Sequence, residues 1–294
     1  MKKYDKAINI LILGIAVFAF IACLAGLLIQ GGVGEHEFKS IHGEVVKIYG
    51  YGLYQDNSIA VVAQGKASDL FTLVVGIPLL LISLYFLNKG SFRARLILTG
   101  TLGYFLYTYI SYTFLWMYNP FFIVYVILMT LSLYAFILCI ISFDISNMKD
   151  QFNERLPVKL LGGFQLFIGF AIGMLWLGKL APSIFDTKVP VGLEHYSTLV
   201  IQGMDLGIVV PTAFVSGILL IKKKSFGYLL SSVIIIKGIT MLTCISMMII
   251  NQALNQVDMG ITEVLIFPAL NCYALLCFII LMKHVNGNKR VLSE

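Results

Sequence analysis

DLFTLVVGIPLLLISLYFLNKGSF, residues 69–92, opens on an aspartate, runs through apolar residues past Pro78, and closes on Lys89 and Ser91-Phe92. DLGIVVPTAFVSGILLIKKKSF, residues 205–226, follows the same plan with Pro211, Lys224 and Ser225-Phe226. A helix needs about 20 apolar residues to cross about 30 Å of hydrocarbon, and each stretch supplies most of one crossing. Further out, YAFILCII at 134–141 is echoed by YALLCFII at 273–280. The pairing predicts two parallel four-helix repeats, residues 1–148 and 149–294, related by a pseudo-two-fold axis along the membrane normal. In that alignment Asp69 takes the place of Asp205. Coincidence is the competing reading, since apolar segments resemble one another cheaply.

The rest of the chain has the same character. Hydrophobic residues make up 59% of its 294 positions and charged residues 12%, about half of the roughly 25% usual in a soluble domain. Apolar runs near 7–29, 70–88, 95–117, 120–143, 158–180, 199–221, 226–250 and 261–282 predict an all-α polytopic membrane helix bundle, one membrane domain of about eight transmembrane helices. Fifteen Lys and Arg fall on one side of these spans and five on the other, with Lys237 inside a span. The positive-inside rule then places both termini in the cytoplasm of a multi-pass cell-membrane protein. The net charge of +6 is scattered between apolar runs, so the partner it implies is the lipid bilayer and not nucleic acid. Phe20-Ile21-Ala22-Cys23 is similar to a lipoprotein cleavage box, but the apolar run continues to Ile29 and reads as a retained anchor. Between the first two spans, GEVVKIYGYGLY (43–54) and NSIAVVAQG (57–65) alternate loosely and predict a short β-hairpin in an outer loop, 31–67.

GLYQDNS at 52–58, GYFLYTYISY at 103–112, the YNPFFIVYV that follows, and MDLGIVVPTAF at 204–214 resemble a family of uncharacterised multi-spanning bacterial membrane proteins. The resemblance covers residues from about 50 to 245. It implies a bacterial membrane protein, and it carries no activity and no functional residues.

Function has to be sought among the polar groups inside the membrane, where an ionisable residue is costly and is a functional hypothesis by default. Asp205 falls about six residues, or roughly 9 Å, below the outer end of its span, and Lys237 roughly 14 Å below the outer surface. Their spans are joined by the short KKKSF turn, so the two charges belong to antiparallel neighbours within pairing reach. Asp69, Glu263 and Gln202 share the outer half of the membrane. Tyr104 and Tyr107, with Thr108 and Ser111, follow an i, i+3, i+4, i+7 spacing that gives one polar helix face. Two readings follow. In one, these groups line an outward-facing polar site that binds or transports a small solute. In the other, the charges are structural and the chain is a scaffold or sensor acting through protein partners.

Other features point to packing. Gly169 and Gly173 form a small-xxx-small pair, and Pro78, Pro211 and Pro268 interrupt helical hydrogen bonding. The five cysteines lie in apolar runs without a C-x-x-C pair, so no disulfide framework is expected. Glu35, His36, Glu37, His42, Glu44, Glu194 and His195 fit no metal signature. No phosphate-binding glycine loop, zinc helix or nucleophile elbow occurs. The sequence therefore leans away from an enzyme and predicts no cofactor and no metal.

Overall fold

A computed structural model describes residues 2–186, 188–257 and 259–286. Among them are eight long helices: α1 Lys2–Leu28, α2 Ile59–Asn88, α3 Phe92–Phe114, α4 Phe122–Ile141, α5 Val158–Asp186, α6 Val200–Ile221, α7 Ser225–Leu254 and α8 Ile261–His284. Seven are long and apolar enough to cross a membrane. The exception is α3, which has the length but not the hydropathy. It is the central helix, packed against α2, α4 and α7, and residues such as Thr99, Thr108, Ser111 and Thr113 are buried along it. Three of these hydroxyls turn back onto their own helix, while that of Thr101 beside them has no partner. Thr99 donates to the Arg95 carbonyl at 2.8 Å and Thr113 to that of Tyr109 at 2.7 Å, the back-bonding that lets such residues sit inside a helix.

The helices alternate in direction, so one face of the bundle carries the three connections flanked by most of the Lys and Arg and the other carries the remaining four. On the basic face, Arg95 is buried and donates to the carbonyl of Ser142 at the end of α4, where a cation complements the helix dipole. On the opposite face lies the only sheet among the described residues, β1 His36–Lys39 antiparallel to β2 Val45–Ile48. The hairpin therefore forms from GEVVKI and the segment before it. NSIAVVAQG, expected as its second strand, instead begins α2: Ser58 caps the helix by accepting from the Val61 amide. The apolar run begins near residue 70, but the helix begins at Ile59 because Ser68 and Asp69 are buried against protein, not lipid.

Both prolines of the opening stretches are accommodated in the same way. Thr72–Gly76 and Asp205–Val209 form widened π turns, each ending just before the Ile77-Pro78 or Val210-Pro211 pair. Proline lacks an N–H and crowds the carbonyl four residues back, and a π turn makes room for that mismatch. Counted back from the prolines, Asp205 stands opposite Thr72, and Asp69 opposite Gln202. The two aspartates thus differ by about one helical turn, and this register replaces the Asp69–Asp205 correspondence read from the sequence.

The two halves pack differently. α1 runs along α4, closing the first half. α5 packs tightly on α6, where Gly162 and Gly217 meet backbone to backbone and Gly169 faces Ala213, but α5 and α8 stay apart along most of their length. They are laced together at the basic face, where Phe152 pairs with Val285 and the Asn153 amide donates to the His284 carbonyl at 2.8 Å. Above that point they touch through the rings of Phe164 and Tyr273, 4.8 Å between centroids.

Candidate functional site

Where α5 and α8 separate, they leave a cavity of about 420 Å³, closed on its other sides by α3, α6 and α7 with Phe136 of α4. Its lining is apolar for the most part, and its two charged residues are Asp205 and Lys237. Both lie deep in their spans. Lys237 is twelve residues into α7, roughly 18 Å at 1.5 Å per residue.

The aromatic ring of Tyr107 stands between these charges. Its hydroxyl donates to Asp205 Oδ1 at 2.8 Å, and the indole N–H of Trp176, from α5, donates to Asp205 Oδ2 at 2.8 Å. The Lys237 ammonium lies over the Tyr107 ring, 4.1 Å from its centroid, a cation–π contact. Gly103, one turn before Tyr107 on α3, lies beside the lysine stem: a Cβ there would stand 3.4 Å from Lys237 Cγ, an ordinary contact. The direct Asp205–Lys237 contact suggested by the antiparallel spans is thus replaced by an aromatic spacer. Among the described residues the one ion pair within 4.0 Å is Lys188–Asp186, which is exposed. Gln165, also on the cavity wall, is satisfied: it accepts from the Ser216 hydroxyl and donates to the Leu161 carbonyl.

Nothing matches this chain among family models, curated proteins or solved structures. The reading of the site therefore rests on its own geometry.

The remaining candidates lie elsewhere. Asp69 is 3% exposed in the core of the first half, accepting from the Tyr54 hydroxyl at 2.6 Å and from Tyr112 at 2.9 Å. Trp116 stacks on Tyr112 and tilts against Tyr54. Gly26 of α1 covers the carboxylate so closely that a Cβ would stand 2.2 Å from Asp69 Oδ2. Tyr104 turns away from Tyr107 and toward α2, where its hydroxyl lies 2.7 Å from Thr72 Oγ1. Gln202 is half-buried but is not on the cavity wall. Glu263 belongs to the first turn of α8, and its side chain lies outside the described residues. Sequence reasoning missed Trp176, Tyr54 and Trp116. A usable signal existed: of the chain's two tryptophans, one donates to Asp205 and the other packs on the tyrosines that hold Asp69.

A third polar cluster joins the halves on the hairpin face. Tyr196, between α5 and α6, donates to Asn57 Oδ1 and accepts from the Ser58 amide, both at 3.2 Å, and His195 reaches the Asp56 carbonyl at 2.9 Å. Burial pushes the neighbouring Glu194 carboxyl up from its ordinary range, with the Ser58 hydroxyl opposing that shift. Among the described residues, no three of His, Cys, Asp and Glu gather closely enough to hold a metal ion.

Proposed function

We propose that this chain is a multi-pass bacterial cell-membrane protein, both ends cytoplasmic, that binds a small solute in the α5–α8 cavity and moves it across the bilayer. One observation carries the reading. The Lys237 ammonium borders a 420 Å³ hollow, lies over the face of Tyr107, and has no hydrogen bond and no ion pair within 4.0 Å among the described residues. A structural charge inside a membrane is expected to carry its partner with it, because an unpaired lysine at a helix centre costs about 2.5–3.5 kcal/mol on insertion scales. Asp205 does carry its partners, and a pin between α3, α5 and α6 accounts for it. That pin is what the scaffold reading needs, but it leaves Lys237 without a role.

We also propose that the halves descend from one four-helix unit, which their shared π turns before proline support. On this view the second copy opened its α5–α8 contact while the first kept α1 on α4. The hairpin face is then external and the basic face cytoplasmic.

The test is the thermal stability of Asp205→Asn, Lys237→Gln and the double variant in lipid nanodiscs. The solute-site reading expects Lys237→Gln to fold at least as well as the unaltered protein, with no rescue of it in the double variant beyond the coupling that the shared Tyr107 gives. Unfolding of Lys237→Gln, with rescue in the double variant, would return the charges to a structural pair and the protein to the scaffold reading.

A further inference from the structure

Resting on that reading, we infer that the solute is a single-chain amphiphile: one anionic head, carboxylate or phosphate, on an uncharged apolar body. The polar groups of the cavity determine the head. Both Asp205 oxygens already accept hydrogen bonds, from Tyr107 and Trp176, and Gln165 is paired with Ser216 and Leu161. Lys237 alone offers N–H donors with no acceptor among the described residues; as an ammonium it places a positive charge on the wall, to which Thr212 adds one hydroxyl. Hydrogen bonds between an ammonium and an anion are roughly twice as strong as neutral ones, and the dry surroundings strengthen them further. A cationic head meets Lys237 with repulsion and finds each Asp205 oxygen already holding one hydrogen bond. A neutral head forgoes the charge-assisted bond.

The walls determine the body. Ile168, Ile172, Leu175, Phe267 and Leu270 present no polar side-chain atom, so each hydroxyl or amide buried there would lose its hydrogen bonds to water. A volume of about 420 Å³ falls in the lower part of the range for small-molecule sites, so it takes one modest chain. A second hollow, about 480 Å³ beside α2, shows that a lysine on an apolar wall does not by itself make such a site. The lysine there, Lys66, already donates to the Tyr49 hydroxyl.

Trp176 touches the Asp205 end of the cavity and supplies the readout. In the full chain carrying Trp116→Phe, in lipid nanodiscs, Trp176 fluorescence would be titrated with octanoate, octyl phosphate, octylammonium and octan-1-ol. Octanoate or octyl phosphate is expected to shift the emission saturably, at least about tenfold more tightly than the other two. Whichever anion binds tighter tells a carboxylate source from a phosphate one. Lys237→Gln should erase the preference for anions and Lys237→Arg should keep it. Should Lys237→Gln fail to fold, the ranking of head groups on the unaltered lysine still decides. Octan-1-ol or octylammonium binding as tightly as the anions would overturn the ligand class and leave a solute cavity standing. No saturable response to any of the four, in protein shown to be folded, would sink both the class and the cavity reading.

Discussion

Asp69 and Asp205 hold their carboxylates in the same way and in different surroundings. Each accepts two hydrogen bonds from aromatic side chains and has one of the chain's two tryptophans beside it. Asp69 is sealed. Gly26 lets α1 press onto the carboxylate, and α1 in turn lies along α4. Asp205 is half-buried on the wall of a cavity, because α8 does not close on α5 as α1 closes on α4. The difference teaches that a buried acid in a membrane bundle is not a functional residue by chemistry alone. What decides is whether the helix opposite it is packed in, and whether a neighbouring charge is left unanswered.

The sharpest way to break the comparison is to attack the seal. Gly26→Val would drive a side chain into Asp69 and the Tyr54 hydroxyl, and overpacking of that kind costs about 1–3 kcal/mol or more. Asp69→Leu takes the acceptor from the buried Tyr54 hydroxyl and leaves Tyr112 only the Gly65 carbonyl, at about 1–3 kcal/mol for an unsatisfied buried group. Both variants are expected to lower the thermal midpoint by more than any change at Asp205 or Lys237. A midpoint equal to the unaltered protein's in either would remove Asp69 from its structural role.

Smaller effects follow at the open half. Asp205→Asn keeps one acceptor oxygen for Tyr107 or Trp176 and should cost about 1 kcal/mol, read as a lowered midpoint together with a change in Trp176 emission. A loss as large as that of Asp69→Leu would mean that the two sites are equivalent pins. Gly100→Ala probes the seam between the halves: its new Cβ would stand 2.4 Å from Ile236, pushing α3 off α7 at a cost of about 1–3 kcal/mol. It should disturb Tyr107 and Lys237 while leaving Asp69 unchanged.

A pH dependence is expected outside the membrane. The Glu194 carboxyl is raised in the folded protein, so the folded state binds its proton more tightly than the unfolded state does. The stability it supports is fully present below the ordinary glutamate range and is lost as pH rises through that range toward the raised folded value. Proteolysis of the 188–199 connection should therefore quicken across that window, and Glu194→Gln should flatten the profile. An unchanged profile in Glu194→Gln would assign the dependence to another group. The smallest effect is that of Lys237→Gln, within about 0.5 kcal/mol, as for a residue that no structural feature requires.

Much of this was legible from the sequence for physical reasons. Apolar runs announce spanning helices because lipid tolerates no unsatisfied backbone, and charges within such runs stand out. Asp205 and Lys237 could be brought near each other because KKKSF makes α6 and α7 antiparallel neighbours, whereas Tyr107 was visible only as part of a polar stripe on α3. The start of α2 was not legible, since hydropathy sees lipid-facing residues while Ser68 and Asp69 face protein. Nor was the separation of Asp69 from the cavity. It follows from an offset of about one turn relative to Pro78, which an alignment anchored on the aspartates hides. The cavity itself has no local signature, because it arises from packing between α5 and α8 that does not form. Trp176 reaches Asp205 from α5, the helix packed on α6.

Accessibility compares the two aspartates directly. In a version lacking the five native cysteines, single cysteines would replace Asp69, Asp205 and Lys237 in turn, and intact cells would be treated with a membrane-impermeant thiol reagent. The account predicts labelling at 205 and 237 and none at 69, in variants shown to be folded. Labelling at 69, or none at 237, would contradict it.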